Sequence, residues 1–310
     1  MTPTIVHVVS VSGGKDSTVT AVLARDFSRR TDEPVHYVFA DTGNEHEMTY
    51  DYIRNYLPGV LGVTVQEVKT DFTDWMAHRR AYVAEHWPLD GVPQGVIDRA
   101  VAVLQPSGNP YLDLCLIKGR FPSRTAQFCT QFLKTEPLVE YQDKFITDGQ
   151  EVMSWQGVRG EESPRRALLP DIERRTGGLW AYRPILNWKV DEVIAFTKKH
   201  GVELNPLYRL GMSRVGCMPC INAAKGEIRE IANRFPGQID RIAEWERIVA
   251  EAAKRGGASF FVAYDDARGD WRGRNVREVV RWSKTQRGGR KMDFFAEESA
   301  VCASSYGLCE

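Results

Sequence analysis

The chain has 310 residues, with 41 Lys and Arg against 41 Asp and Glu, so it is formally neutral when histidine is uncharged. With 43% apolar and 26% charged residues its make-up is that of an ordinary globular protein, which excludes the disordered and fibrous classes. No apolar run approaches the roughly 20 residues needed to cross a bilayer, and MTPTIVHVV has no basic leader segment, so a cytoplasmic protein with no membrane contact is expected.

In chain order, IVHVVSV (5–11), PVHYVFA (34–40) and VTVQEV (63–68) are β-rich runs separated by helical patterns at 15–30 and 46–57. Strands alternating with helices predict an α/β fold with a doubly wound parallel sheet, which binds ligands at the carboxyl ends of its strands. Residues 72–140 read as helical, broken by QPSGNP at 105–110. A further strand at 151–158 leads into the charged loop RGEESPRR, and an amphipathic helix at 190–200 ends at Gly201. From Asn205 to Cys220 the pattern is loop, followed by helices at 224–234 and 237–255, a basic segment and the tail CASSYGLCE. A chain of this length exceeds the roughly 250 residues that one core serves well, so we expect an α/β domain over 1–204 and a helical, cysteine-containing module over 205–310.

Chemistry concentrates first at VVSVSGGKDS (8–17), where a buried strand gives way to a helix at two glycines. Such a junction gathers free backbone N–H groups and the positive end of a helix dipole at one point, which suits phosphate. Gly13 and Gly14 let the backbone approach oxygens, Lys15 adds a charge, and Ser12 and Ser17 add hydroxyl donors. A P-loop of the G-x-x-x-x-G-K-[ST] type would need glycine at position 9 and Ser or Thr at 16; the sequence has Val9 and Asp16. A glycine-rich turn without a ligand is the plain structural alternative.

SGGKDS resembles the PP-loop of the ATP pyrophosphatases, which cleave ATP between its α and β phosphates. Asp41-Thr42-Gly43, GVRGEESPRR (157–166), RPILNW with the following helix, and NPLYRLGMSRVGCMPC (205–220) resemble one branch of that superfamily, the phosphoadenosine phosphosulfate reductase family. The resemblance spans about residues 5–225, with the motifs in the same order. It implies an ATP site with Mg²⁺ built from Ser12, Gly13, Gly14, Lys15, Asp16, Ser17, Asp41, Arg159 and Arg166, with Lys15 and Asp16 also catalytic. From the residues themselves, Asp41 is suited to ribose or magnesium, or is simply a strand terminator. Arg159, Arg165 and Arg166 are anion ligands, or a solvated loop paired with Glu161 and Glu162.

Six cysteines in a reducing compartment are metal ligands or redox thiols rather than disulfides. Cys217-x-x-Cys220 is half a metal site, and the other half is Cys302 with Cys309, or Cys129 with one of them. Spacing alone leaves iron and zinc open; the family resemblance implies a [4Fe–4S] cluster on Cys217, Cys220, Cys302 and Cys309, with zinc as the alternative, and leaves Cys129 as a sulfur-handling, catalytic thiol. Cys115, in YLDLCLI, is expected in the core. The cysteine pair of cluster-containing adenylyl-sulfate reductases is broken by Phe128. QFCTQFLKTEP (127–137) is closer to the DNA phosphorothioation sulfur-transfer proteins, which implies DNA as acceptor and a cysteine desulfurase and other modification-complex subunits as partners. Residues 268–291 hold nine Lys and Arg against Asp270 and Glu278, a local charge of +7. On a helix, Arg274, Arg277, Arg281 and Lys284 would form one face beside Trp271 and Trp282, suited to a phosphate backbone or simply to solvent. The alternatives to phosphorothioation are a sulfonucleotide reductase, fed by thioredoxin with Cys129 or Cys309 as nucleophile, and a nucleic-acid-binding scaffold with a vestigial pocket.

Overall fold

The computed structural model describes residues 5–265 and 270–286. Strand β1 (Ile5–Val11) enters helix α1 (Lys15–Thr31), and β2 (Val35–Ala40) follows. The next helix is composite: α2 (Glu47–Asp51), a π-helical turn at Tyr52–Tyr56 and α3 (Leu57–Leu61), leading to β3 (Gln66–Val68). Helices α4 (Thr73–His86), α5 (Gln94–Val103), α6 (Pro110–Lys118) and α7 (Phe128–Thr130) come next. A second π turn at Gln131–Thr135 joins α7 to α8 (Glu136–Thr147). Then come β4 (Glu151–Trp155), α9 (Pro164–Ala167), β5 (Ile172–Arg174), β6 (Leu179–Tyr182) and α10 (Val190–Lys199). The last elements are α11 (Lys225–Arg234), α12 (Pro236–Ala252), the hairpin β7 (Phe261–Asp265) and β8 (Asp270–Arg274), and α13 (Val276–Ser283).

The main sheet has the order β3-β2-β1-β4-β6-β5 and is parallel except for β5, which runs antiparallel to β6 at the edge. Alternation along β1 assigns its two faces: Val6 and Val8 pack with Leu138, Tyr141 and Phe145 of α8, whereas Val9 and Val11 pack with Ala21 and Ala24 of α1. A strand covered on both sides shows continuous apolar residues, which is why IVHVVSV is legible as a parallel, central strand. The chain leaves β1 for β2 on one side, while β4 lies on the other, so the crevice opens at the carboxyl ends of β1 and β4.

Helices α4 to α6 share one apolar core with α11 to α13, including Met76, Ile97, Leu114, Ile242, Trp245 and Val279. Cys115 lies in it, 1% exposed, as its apolar neighbours predict. Glu246 is a carboxylate in this core, 6% exposed, accepting N–H bonds from Phe260 at 2.8 Å and from Val276 at 2.9 Å. Burial raises its pKa despite those bonds. Above the ordinary glutamate range the unfolded chain therefore binds fewer protons than the native one, and stability falls as pH rises through the raised native pKa. Replacing Glu246 with Gln should flatten that decline, as read by urea midpoints taken across weakly acidic to neutral pH.

Candidate functional site

Gly13 holds φ at +71°, and a Cβ there would lie 2.9 Å from Thr49 Cγ2, so the loop needs glycine for conformation and for space. Ser17 Oγ donates to the Gly14 carbonyl at 3.0 Å and accepts from Ser12 N–H at 3.1 Å, with Ser12 Oγ 3.0 Å away. The two hydroxyls predicted as anion donors thus close the loop on itself. The Lys15 N–H, first in α1, donates to the Tyr208 hydroxyl at 3.0 Å. Lys15 is buried, with Nζ 3.0 Å from Asp16 Oδ2. Asp16 Oδ1 in turn receives Arg159 Nε at 2.6 Å. Arg159, 5% exposed, also pairs with Glu161, whose carboxylate accepts the Val190 N–H at the start of α10 at 2.9 Å. Burial opposes the Arg159 charge, but Asp16 and Glu161 outweigh it and raise its pKa. The result is an alternating chain of charges, Lys15, Asp16, Arg159, Glu161, from the loop to α10. Close approach is enforced at Gly157, where a Cβ would stand 2.9 Å from backbone atoms of Asp16 and Ser17.

The third wall is the loop after β2. Asp41 Oδ1 accepts from Gly43 N–H at 2.8 Å and from the Tyr50 hydroxyl at 2.6 Å. Glu45, 3% exposed, accepts from Thr42 Oγ1 at 2.8 Å and from the Cys217 thiol at 3.7 Å. The Cys217–Cys220 loop is fastened here: Met218 N–H donates to Asn44 O at 2.7 Å, and Asn44 Nδ2 donates to Pro219 O at 3.0 Å. Arg241 of α12 clasps both loops, its Nη2 donating to Asn44 Oδ1 and to Met218 O, each at 2.8 Å.

Around the thiols the electrostatics are mixed. Burial pushes the Cys217 thiol up to about 12, opposed by Lys134 and reinforced by Glu45. Burial also raises Cys129, and Cys220 adds to it. Cys217 raises the pKa of Lys134, with Glu45, Cys220 and Cys129 adding to the effect, so one ammonium serves three sulfurs and a carboxylate. Burial opposes the Arg214 charge, but Cys220, Glu227 and Cys217 outweigh it and raise its pKa. Set against the burial of Cys217, Lys134 and Arg214 are the cations that would offset sulfur charge on metal binding, and the C-x-x-C pair supplies half of a four-thiolate centre. Among the described residues no three Cys, His, Asp or Glu side chains gather to hold a metal ion, and the other assigned ligands, Cys302 and Cys309, lie outside those residues.

Sequence reasoning gives Lys134, within LKTEP, no role; its one signal is the spacing of five from Cys129. It misses Glu45, Gly157, Tyr208 and Arg241, because their partners are distant in sequence. Arg166 is exposed and pairs with Glu162, and Arg165 is exposed on α9.

The basic segment differs from expectation. Arg274 ends strand β8, and Asn275 caps α13 by accepting the Glu278 N–H at 3.0 Å, so only Arg277 and Arg281 of the four basic residues lie within the helix, with Lys284 at its C-cap. Arg274 is therefore off the helix, while Arg277, Arg281 and Lys284 keep the i, i+4 and i+7 spacing of one exposed face. The Asn275 cap sets that boundary, because its side chain satisfies a free N–H of the first turn and the helix begins at Val276. Arg277 pairs with Asp240 at 2.8 Å, and Val276 and Val279 turn the helix into the core. Arg268 and residues 287–291 lie outside the described residues.

The Phosphoadenosine phosphosulfate reductase domain model matches residues 6–86 and 113–223, more than half of the chain. The chain belongs to this family. The matched stretches carry all three walls of the site, and they omit residues 87–112, whose Asn109 nevertheless donates to Gly43 O at 2.7 Å. The chain is 44% identical to an uncharacterized 37.8 kDa protein of Escherichia phage 186, over 98% of this chain and 97% of that one. It is 33% identical to the adenosine 5'-phosphosulfate reductase of Neisseria meningitidis serogroup A over 44% of this chain and 56% of that enzyme. A phosphoadenylyl-sulfate reductase from Candida auris, solved with phosphate, aligns over 70% of this chain and 83% of its own at a TM-score of 0.41 and 18% identity. No helix among the described residues is long and apolar enough to cross a membrane.

Proposed function

We propose that this family member is an ATP pyrophosphatase-type sulfur-transfer enzyme acting on a phosphate acceptor, with DNA as that acceptor. The supporting observation is the buried Lys15–Asp16–Arg159 chain at the carboxyl end of β1, beside a wall that carries Cys217 and Cys220. In this reading the loop 12–17 cradles the β and γ phosphates of ATP, which enters with its Mg²⁺. Lys15 leaves Asp16 for the phosphates, while Arg159 keeps Asp16 neutralised, and Arg166 closes over the outer oxygens. An acceptor phosphate oxygen attacks the α phosphorus; that O–P bond forms as the bond to the β-phosphate oxygen breaks, and pyrophosphate departs. The terminal sulfur of a persulfide placed on Cys129 by a cysteine desulfurase then forms a P–S bond as AMP leaves, and a thiol reductant cleaves the remaining S–S bond, releasing the phosphorothioate and the Cys129 thiol. Preorganised positive charge at the leaving group is the main catalytic contribution. A [4Fe–4S] cluster, or zinc, on Cys217, Cys220, Cys302 and Cys309 would fix that loop and set the charge beside Lys134. Anaerobic purification tests it: iron with broad visible absorption is expected, zinc alone selects the alternative, and absence of both metals removes the assignment.

A second reading is favoured by the 33% identity to the Neisseria enzyme. There the loop holds adenylyl sulfate, a cysteine thiolate attacks its sulfur, AMP leaves, and a dithiol reductant of the thioredoxin class releases sulfite. Assaying pyrophosphate from ATP with and without DNA, alongside sulfite from adenylyl sulfate, separates the two readings. DNA-stimulated pyrophosphate release is expected; sulfite alone selects the second reading, and neither product overturns both, leaving a nucleotide-binding scaffold.

A further inference from the structure

The short segment from α7 into the π turn has two faces with different neighbours. Cys129 and Lys134 face the Cys217–Cys220 loop electrostatically. Phe128, Gln131 and Phe132 instead line an open surface pocket of about 430 Å³, together with Lys118, Arg120 and Gln127. Its two cations are arranged unusually. Lys118 Nζ sits 4.5 Å from the Trp75 ring centre and 4.7 Å from that of Phe132. The Arg120 guanidinium lies 5.5 Å from the Phe128 ring centre. Among the described residues neither forms an ion pair with a carboxylate, although most of the arginines around the nucleotide loop do. Burial, and then the neighbouring Arg120 charge, lower the Lys118 pKa, with Glu136 opposing them, so a bound anion would relieve the repulsion between the two cations that this carboxylate leaves.

Two cations lying on aromatic faces present charge for a nucleotide's phosphate and a ring for its base, while the Gln127 and Gln131 amide N–H groups already donate to Arg124 O at 3.1 Å and Glu136 Oε1 at 2.9 Å, so recognition rests on charge and stacking. We propose that this pocket is a second, acceptor-side subsite for a nucleotide unit, with phosphate on Lys118 and Arg120 and the base stacked on Phe128. It shares no residue with the loop at 12–17, and Cys129 follows Phe128 on the same short helix. The inference rests on the phosphate-acceptor reading above.

The same chemistry comes from two sources, a free nucleotide or a single strand of nucleic acid, and binding to the full chain distinguishes them. Fluorescence anisotropy with a labelled eight-nucleotide thymidine oligomer is competed with thymidine 5'-monophosphate, a ligand without the adenine of ATP. The oligomer should bind, and Arg120→Glu should weaken it about tenfold while lowering the slope of log affinity against log salt by about 0.7, the loss of one phosphate contact. Arg120 is exposed, so this variant folds even if Lys118→Glu does not. Phe128→Ala should weaken the oligomer with the salt slope unchanged. Competition by the monophosphate at comparable concentration supports the subsite and identifies a free nucleotide; competition only by unlabelled oligomer supports it and identifies a strand. Binding insensitive to both Arg120→Glu and Phe128→Ala, or no binding of either probe, overturns it. ATP binding, measured in parallel, reports on the loop at 12–17, so failure there leaves the oligomer result intact and falls on the acceptor reaction alone.

Discussion

Lys15→Ala should lower turnover by about 10²–10³, the cost of removing one preorganised charge at a developing anion. The decrease is expected in whichever product the chain forms, pyrophosphate or sulfite, because both readings put phosphate oxygens at the same loop. The variant should fold, since Asp16 keeps Arg159 at 2.6 Å when its lysine partner is gone. An unchanged circular dichroism spectrum and urea midpoint together with the lost rate would separate chemistry from folding. Turnover within a factor of two of the parent would remove Lys15 from the mechanism and the loop 12–17 from the site.

Gly157→Ala is the second large effect, and it involves no charge. The added methyl would meet the carbonyl carbon and oxygen of Asp16 and the Cα of Ser17, all at 2.9 Å, and backbone cannot rotate away as a side chain does. The loop after β4 must then retreat from the first turn of α1. Overpacking of this kind costs about 1–3 kcal/mol, visible as a lower urea midpoint. Because Arg159 rides on the displaced loop, a shift near 1 Å should also lower turnover by about 10²-fold. Retained turnover with lowered stability would mean that Arg159 supports the fold and not the reaction.

How much of this is legible in the sequence depends on how local each cause is. The strand–glycine–helix junction is readable to the residue at its helical end, because β1 is covered on both faces and α1 starts where Lys15 follows two glycines. The helix predicted at 190–200 appears at Val190–Lys199 for the same reason, a capped amphipathic run. Strands β5 and β6 escape such a reading: at three and four residues they carry too little alternation, and two glycines precede β6. The π turns at Tyr52–Tyr56 and Gln131–Thr135 have no sequence signature, yet both border the site, the first beside Gly13 and the second carrying Lys134. Among site residues, the glycines and Lys15 declare themselves by motif. Glu45, Tyr208 and Arg241 each have one partner more than 150 positions away, and such pairs are set by topology.

A single guanidinium, that of Arg241, lies beyond the stretch that the family model matches and grips the loops carrying Asn44 and Met218. Any chimera that grafts the matched portion of this chain onto a relative's carboxyl half must therefore import a cation at the equivalent helical position. A chain trimmed at residue 223 would leave the Asn44 side-chain oxygen short of its donor and the cysteine turn held at one end only.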